Sequence, residues 1–395
     1  MISEKMKELV KNNSVIREMF EEGKRLSKIY GKENVYDFSL GNPSVPTPDN
    51  IKEAIIKILE NEDTQILHGY MSNGGFEDVR EKVASSINNK FDTSFTSKNI
   101  IMTVGAASGL NIILKSILNP EDEVLVIAPY FVEYKNYVKN YDGKIVVTMA
   151  NEENFEPDLK DLASKISAKT KAVIINTPNN PTGVVYSENT IKELAKILKE
   201  KEKEYNNEIY LISDEPYREL VYDDIKVPYI TKFYKNTFVV YSYSKSLSLP
   251  GERIGYVVVP NEMVDSNNVI EAVTIANRVL GSVNAPSLMQ KVIGECVDLT
   301  VDISQYKKNR DLLYNYLIEC NFECIKPQGA FYLFLKSPIK DDKEFCNIAK
   351  EYNILMVPGS SFAYPGYVRI SYCVDYEMIK RSLPAFKKLA IAMNK

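Results

Sequence analysis

The sequence predicts an α/β fold: a large domain on a mostly parallel, seven-stranded sheet sandwiched by helices, and a smaller α+β domain beside it. Three observations carry this reading. Seven short β-rich apolar runs lie between Asn99 and Pro260: "NIIMTV", "DEVLVIAP", "KIVVTMA", "KAVIINTP", "EIYLISD", "TFVVYSYS" and "IGYVVVP". Several are separated by helical stretches such as "SENTIKELAKILKEKEKEY", the alternation that builds parallel sheets. The runs are nearly continuous in apolar residues, as strands covered on both faces require.

The elements follow in order. "SVIREMFEEGKRLSKIYG" has the apolar spacing of a helix, with Gly31 as its stop, and "YDFSLGNPSVPTP" is an extended, proline-punctuated arm. Residues 51–284 form the expected large domain. After Pro260 strands become sparse, and long helical patterns surround "GAFYLFL" and "YVRISYCV". Residues 285–395 are therefore expected to form the small domain, joined by the helix and arm of residues 1–50.

Composition removes several classes of function. The chain has 395 residues, 45% apolar and 26% charged, values of an ordinary globular protein large enough for more than one core. With 49 basic against 53 acidic residues the net charge is −4, and no basic stripe exists to neutralise a phosphate backbone, so nucleic acid is not an expected partner. "KELAKILKEKEKEYNNE" and "FKKLAIAMNK" read as solvated helix faces. The charged start "MISEKMKELVKNN" lacks the apolar core of a signal peptide, and no window is long enough to span a bilayer. A cytoplasmic protein with no membrane partner is the expectation. Cys296, Cys320, Cys324, Cys346 and Cys373 show no CxxC pairing and lie far from the single histidine, His68, which argues against a metal site. One histidine and no GxSxG elbow leave a hydrolase triad without support.

In open sheets of this kind ligands bind beyond the carboxyl ends of the strands. There the chain places Gly105-Ala106-Ala107-Ser108-Gly109, then Tyr130 and Phe131, the turn "TPNNPTG" with Asn180, the sequence Asp214-Glu215-Pro216-Tyr217, and finally Ser244 and Lys245. Taken singly, each has a plain structural reading. Small residues open helices that pack closely, Asn-Pro makes turns, buried aromatics fill cores, and Asp214 can cap a helix or join an ion pair with Arg218. Taken together they suit one chemistry. Lys245 is a nucleophile whose amine pKa burial and a nearby cation, Arg253, would lower. Ser242, Arg253 and the amides of Gly105 to Ala107 suit a phosphate, with no GxGxxG or GxxxxGK[ST] present to bind a nucleotide. Asp214 suits a pyridine nitrogen, Asn180 and Tyr217 a ring hydroxyl, and Phe131 a stacked ring. That set describes pyridoxal phosphate.

The sequence resembles the fold type I pyridoxal-phosphate enzymes, specifically the class I/II aminotransferases of the aspartate aminotransferase superfamily, over nearly its whole length. "SYSKSLSLPGERIGY", "NNPTG", "SDEPY" and "YVRIS" carry the resemblance in order. It implies that Lys245 is the Schiff-base lysine and proton shuttle, with Asp214 on the ring nitrogen and Asn180 and Tyr217 on the ring oxygen. It also implies that Gly105, Ala106, Ala107, Ser242 and Arg253 bind phosphate, that Phe131 stacks on the ring, and that Arg369 with Gly41 binds the substrate α-carboxylate. Tyr70 matches a tyrosine that reaches the partner subunit's phosphate, so a homodimer with shared sites is expected. The phosphate loop carries alanines where some members have a hydroxyl or a lysine, and Arg278 lies near the place of a distal-carboxylate arginine without matching its motif. The implied reaction moves an amino group from an L-amino acid, whether aspartate, alanine or an aromatic one, to a 2-oxo acid such as 2-oxoglutarate. The alternatives are a cystathionine-type C–S β-lyase, which keeps the cofactor, and a non-catalytic binding domain; the complete set around Lys245 and the missing helix-turn-helix speak against the second. His68 is assigned no role.

Overall fold

The computed structural model describes residues 2–11 and 15–393. Ser14, which opens the first helical pattern quoted above, lies outside them; the helix itself runs Val15–Tyr30 and stops at Gly31, whose φ of 85° no L side chain favours. The strands of the described residues are β1 (Tyr36–Asp37), β2 (Ile100–Thr103), β3 (Glu123–Ala128), β4 (Lys144–Met149), β5 (Thr170–Asn176), β6 (Tyr210–Asp214), β7 (Thr237–Ser242), β8 (Gly255–Val258), β9 (Tyr332–Lys336), β10 (Ile354–Leu355), β11 (Val357–Pro358) and β12 (Tyr367–Ser371).

All seven β-rich runs are strands of one sheet, in the order β2-β8-β7-β6-β5-β3-β4, and only β8 runs against the rest. Side chains alternate across it as the pleat demands: Val239 and Tyr241 of β7 enter one apolar cluster with Ile100, Met102, Tyr256 and Val258, while Val240 enters the other with Ile101 and Val257. Each such fully buried valine or isoleucine contributes roughly 1.5–3 kcal/mol over an exposed one. Helices Gly105–Ile117 and Ser266–Val279 pack together on one face. On the other face, helix Ser287–Cys296 packs against Asp49–Asn61 and Glu77–Phe91 through Met289, Val292 and Ile293.

A separate apolar cluster gathers Phe38 from the N-terminal arm with Tyr306, Phe331, Leu333, Val368, Ile370 and Phe386. Its frame is the antiparallel sheet β11-β12-β9 with helices Ser304–Glu319 and Tyr376–Met393. The arm is sewn onto this frame by two-residue pairing of β1 with β10 and by bonds from Phe38 N to the Leu355 carbonyl (3.0 Å) and from Ser371 N to the Phe38 carbonyl (2.9 Å). Residues 39–41 thereby run along the edge of the cleft between the two cores. No helix among the described residues is long and apolar enough to cross a membrane.

Candidate active site

Strand β7 ends at Ser242, whose hydroxyl accepts from Ser244 N (3.3 Å) and starts the short helix Tyr243–Ser246. That turn aims Lys245 back over the sheet rim, where its Nζ donates to the Gly41 carbonyl (2.7 Å) and sits 5.3 Å from the Phe331 ring. Burial lowers the amine to about 8; Cys373 opposes the shift, while the Arg369 and Arg253 charges add to it. The sequence singled out Arg253 as the cation responsible. The burial expected beside it is the largest cause, and Arg369 adds a second cation to Arg253.

Strand β6 ends at Asp214, which is buried. Its Oδ2 accepts from the Tyr134 hydroxyl (2.5 Å), and its Oδ1 has no hydrogen-bond partner. Burial pushes its carboxyl up to about 7 against the opposing Tyr134 bond, and the Glu215 charge adds to the rise. Glu215 and Arg218 form a buried ion pair with each other, so the alternative of Asp214 pairing with Arg218 does not hold. Strand β5 ends at Asn176, whose amide donates to the Asp214 backbone carbonyl (2.8 Å) and whose Oδ1 accepts from Asn180 N (2.7 Å). This one side chain fixes Asn180 relative to Asp214. Tyr217 and Tyr332 share a hydroxyl–hydroxyl bond of 3.0 Å.

Arg369, on β12, enters from the opposite side and is only 2% exposed. Its Nη1 donates to Asn180 Oδ1 (3.1 Å) and its Nη2 to the Ser39 carbonyl (2.6 Å), whereas Nε has no partner. The Tyr332 and Phe362 rings flank it at 4.7 and 4.9 Å. No carboxylate pairs with it among the described residues. Burial lowers its pKa, yet guanidinium remains charged, and a buried cation with only neutral acceptors is a seat for an anion.

At the rim, Gly105 opens helix Gly105–Ile117 at φ 76°, and a Cβ there would lie 2.8 Å from Arg253 Nη2. The absent side chain lets the guanidinium approach the positive end of the helix, where the N–H groups of Gly105 to Ala107 start the ladder. Arg253 itself is exposed and bonds only carbonyls, of Pro250 (3.0 Å) and Val104 (3.4 Å). Ser242 and Ser244 share a hydroxyl bond of 2.8 Å beside it.

These groups line one cavity of about 320 Å³, which holds Gly41, Ala106, Ala107, Phe131, Asn180, Asp214, Tyr217, Ser242, Lys245, Arg253 and Arg369 together. Gly105 lies just beneath, against Arg253. Tyr70 is outside the cavity and 97% exposed, and His68 and Arg278 are exposed and do not line it either. Tyr134, Asn176 and Tyr332 are the residues that the sequence reading missed. Tyr134 lies one helical turn beyond Phe131 in "PYFVEY", Asn176 is the last residue of its strand, and Tyr332 alternates inward in "GAFYLFL". A larger cavity, about 1130 Å³, lies between helix Val15–Tyr30 and the start of helix Tyr376–Met393 and contains none of this chemistry.

The family described as "Aminotransferase class I and II" matches residues 33–386. The chain belongs to that family. Among its relatives, an aspartate aminotransferase of Pyrococcus horikoshii is 32% identical over 96% of this chain and 95% of its own, and one of Thermotoga maritima is 30% identical over 89% and 90%. A solved amino transferase of Eubacterium rectale superposes with a TM-score of 0.98 at 50% identity and full coverage of both chains. The aspartate aminotransferase of Thermus thermophilus with maleate gives 0.87 at 27% identity, covering 98% of this chain and 99% of that one. As a class I and II aminotransferase the protein is a pyridoxal-phosphate-dependent enzyme acting on amino acids and 2-oxo acids. The site fits that cofactor. Asp214 Oδ1 is a buried carboxylate oxygen without a partner, Gly105 clears the cradle under an arginine, and Lys245, with a lowered pKa, lines the same cavity.

Proposed function

We propose that this aminotransferase takes aspartate as a donor and 2-oxoglutarate as an acceptor, and that it does so with the residues gathered in the 320 Å³ cavity. The aspartate aminotransferases among its relatives support the donor. The observation that carries the site assignment is the buried, acid-free Arg369 facing the same cavity as Lys245. Bound pyridoxal phosphate supplies a carbonyl that bonds amino groups and a ring that accepts the electrons freed at Cα.

The chain's own residues do the rest. Arg369 grips the substrate α-carboxylate as a two-pronged donor, exchanging neutral acceptors for a charged one, and the Gly41 backbone N–H adds a contact. Lys245, an amine whose pKa burial lowers to about 8, would carry the proton to and from the substrate Cα. Asp214, with Oδ1 free, would hold the ring nitrogen and keep a proton there, while Tyr134 holds Oδ2 and stays protonated because burial raises its pKa well above the phenol range. Asn180 and Tyr217 would hold the ring hydroxyl oxygen, and Phe131 would cover the ring. The amides of Gly105 to Ala107, Ser242 and Arg253 bind the phosphate. The basic residues lining the cavity are Lys245, Arg253 and Arg369, so the distal carboxylate of aspartate meets neutral donors or the partner subunit.

The exposed Tyr70 supports a homodimer in which it reaches the neighbouring phosphate. Five free cysteines support a reducing compartment, the cytoplasm. The division into a large domain and a small one made from both chain ends belongs to this reading as well. The packing of Ser287–Cys296 on Asp49–Asn61 favours drawing its second boundary after Cys296 rather than at 285.

A panel of L-amino acids offered with 2-oxoglutarate and read by glutamate formation tests the proposal. Aspartate is expected to be among the best donors. Glutamate from no donor, or pyruvate and thiol from cystathionine without any acceptor, would contradict it.

A further inference from the structure

The arm at residues 37–41 turns a row of backbone carbonyls toward the cleft, with Ser39 O taking Arg369 Nη2 (2.6 Å) and Gly41 O taking Lys245 Nζ (2.7 Å). Behind the first of these carbonyls lies a carboxylate outside the cleft. Asp37 Oδ1 accepts from both Ser39 N (2.9 Å) and Ser39 Oγ (2.6 Å), and no lysine or arginine pairs with Asp37 among the described residues. We propose that Asp37 is a positioning residue for substrate binding: it fixes Ser39 so that the Ser39 carbonyl orients the Arg369 guanidinium for the incoming α-carboxylate. The inference rests on the proposed role of Arg369 and goes beyond it.

Asp37 is half-buried: strand pairing and a crossing helix restrain it, and it also borders the cavity of about 1130 Å³. Its backbone pairs with Leu355 in the β1–β10 ladder, so the side chain cannot follow a shifting strand. Phe38 is clamped between Leu355 and Ser371, the latter two residues beyond Arg369 on β12. From outside, helix Val15–Tyr30 crosses at Gly23, where a Cβ would lie 2.7 Å from Asp37 Oδ2; only glycine lets the helix lie over the carboxylate. Ser39 is fully buried, so with the Asp37 acceptor removed its N–H and hydroxyl lose their only side-chain partner among the described residues. A strap freed in this way no longer holds one of the two oxygens that aim Arg369. The other, Asn180 Oδ1, comes from the large sheet and stays.

Lys245 lies differently. Its bond to Gly41 would be given up once the amine holds the cofactor, so the chemical step would not depend on the strap. Binding should fail and turnover should not. In the coenzyme-loaded enzyme, Asp37→Ala is expected to raise KM for the amino-acid donor about tenfold with kcat within about twofold of wild type and an unchanged visible spectrum. Asp37→Asn keeps an oxygen acceptor at the same place and is expected to return KM to within about twofold of wild type. An unchanged KM in Asp37→Ala, a fall in kcat alone, or an Asp37→Asn variant with a tenfold raised KM would overturn the proposal. If the alanine variant fails to fold, Asp37→Leu, which fills the same space without an acceptor, takes its place under the same KM criterion. A wild-type enzyme that transaminates no donor would sink the reading of Arg369, whereas normal wild-type turnover with an indifferent position 37 would sink only this one.

Discussion

The two walls of the cleft are built on different principles. The large-sheet wall takes Asp214, Asn180, Ser242 and Lys245 from the ends of adjacent parallel strands, so each residue's place follows from where its strand stops. The opposite wall joins Ser39 to Arg369 across a sequence separation of 330 residues, through a two-residue strand pair and backbone carbonyls. The first wall carries charges in need of a cofactor: a carboxylate raised to about 7 and an amine lowered to about 8. The second carries a buried cation, Arg369, with which no carboxylate pairs among the described residues. In the proposed reading one wall holds the chemistry that every donor shares, and the other recognises the part that every amino acid shares.

Mutations should separate the walls. Lys245→Ala removes the proton carrier, and kcat is expected to fall by about 10⁴-fold, measured by glutamate formation. Arg369→Ala is expected to raise KM about 100-fold, with a smaller effect on kcat, because a buried charge-assisted pair with the substrate is lost. Comparable losses of kcat in both variants would erase the distinction between the walls. Tyr134→Phe leaves Asp214 without its only side-chain hydrogen bond and raises its pKa further, so the ring nitrogen is held less firmly as a cation. A fall in kcat of about tenfold with KM little changed is expected from steady-state kinetics. A raised KM with normal kcat would move Tyr134 to the substrate-binding wall.

Most of the first wall was legible in the sequence. All seven strands announce themselves as apolar runs bounded by turns, and the residues following them can be read in order once the sheet is known to be parallel. What stayed hidden were partners reached through a turn or a pleat. Tyr134 depends on a short helix that begins at Glu133, and Asn176 looks like any polar strand end until its amide is seen to bridge Asp214 and Asn180. On the second wall Arg369 was legible only by resemblance, since "YVRIS" reads as an alternating strand with an arginine facing in. The Asp37–Ser39 contact was not legible, because "YDFS" carries no periodicity that sets one side chain toward its neighbour's backbone. Burial and Arg253 were both expected to lower the Lys245 pKa and both do; the share of Arg369 was not legible. Charges can be counted in a sequence, but which of them act on one amine appears only when the two walls close.

The central claim is that the amine at position 245 is the point of covalent attachment for the cofactor. Borohydride reduction of the loaded protein, followed by digestion and mass spectrometry, measures this directly. A pyridoxyl group on the peptide containing Lys245, and on no other lysine, is the expected result. An unmodified Lys245 peptide in protein that had bound pyridoxal phosphate would contradict it.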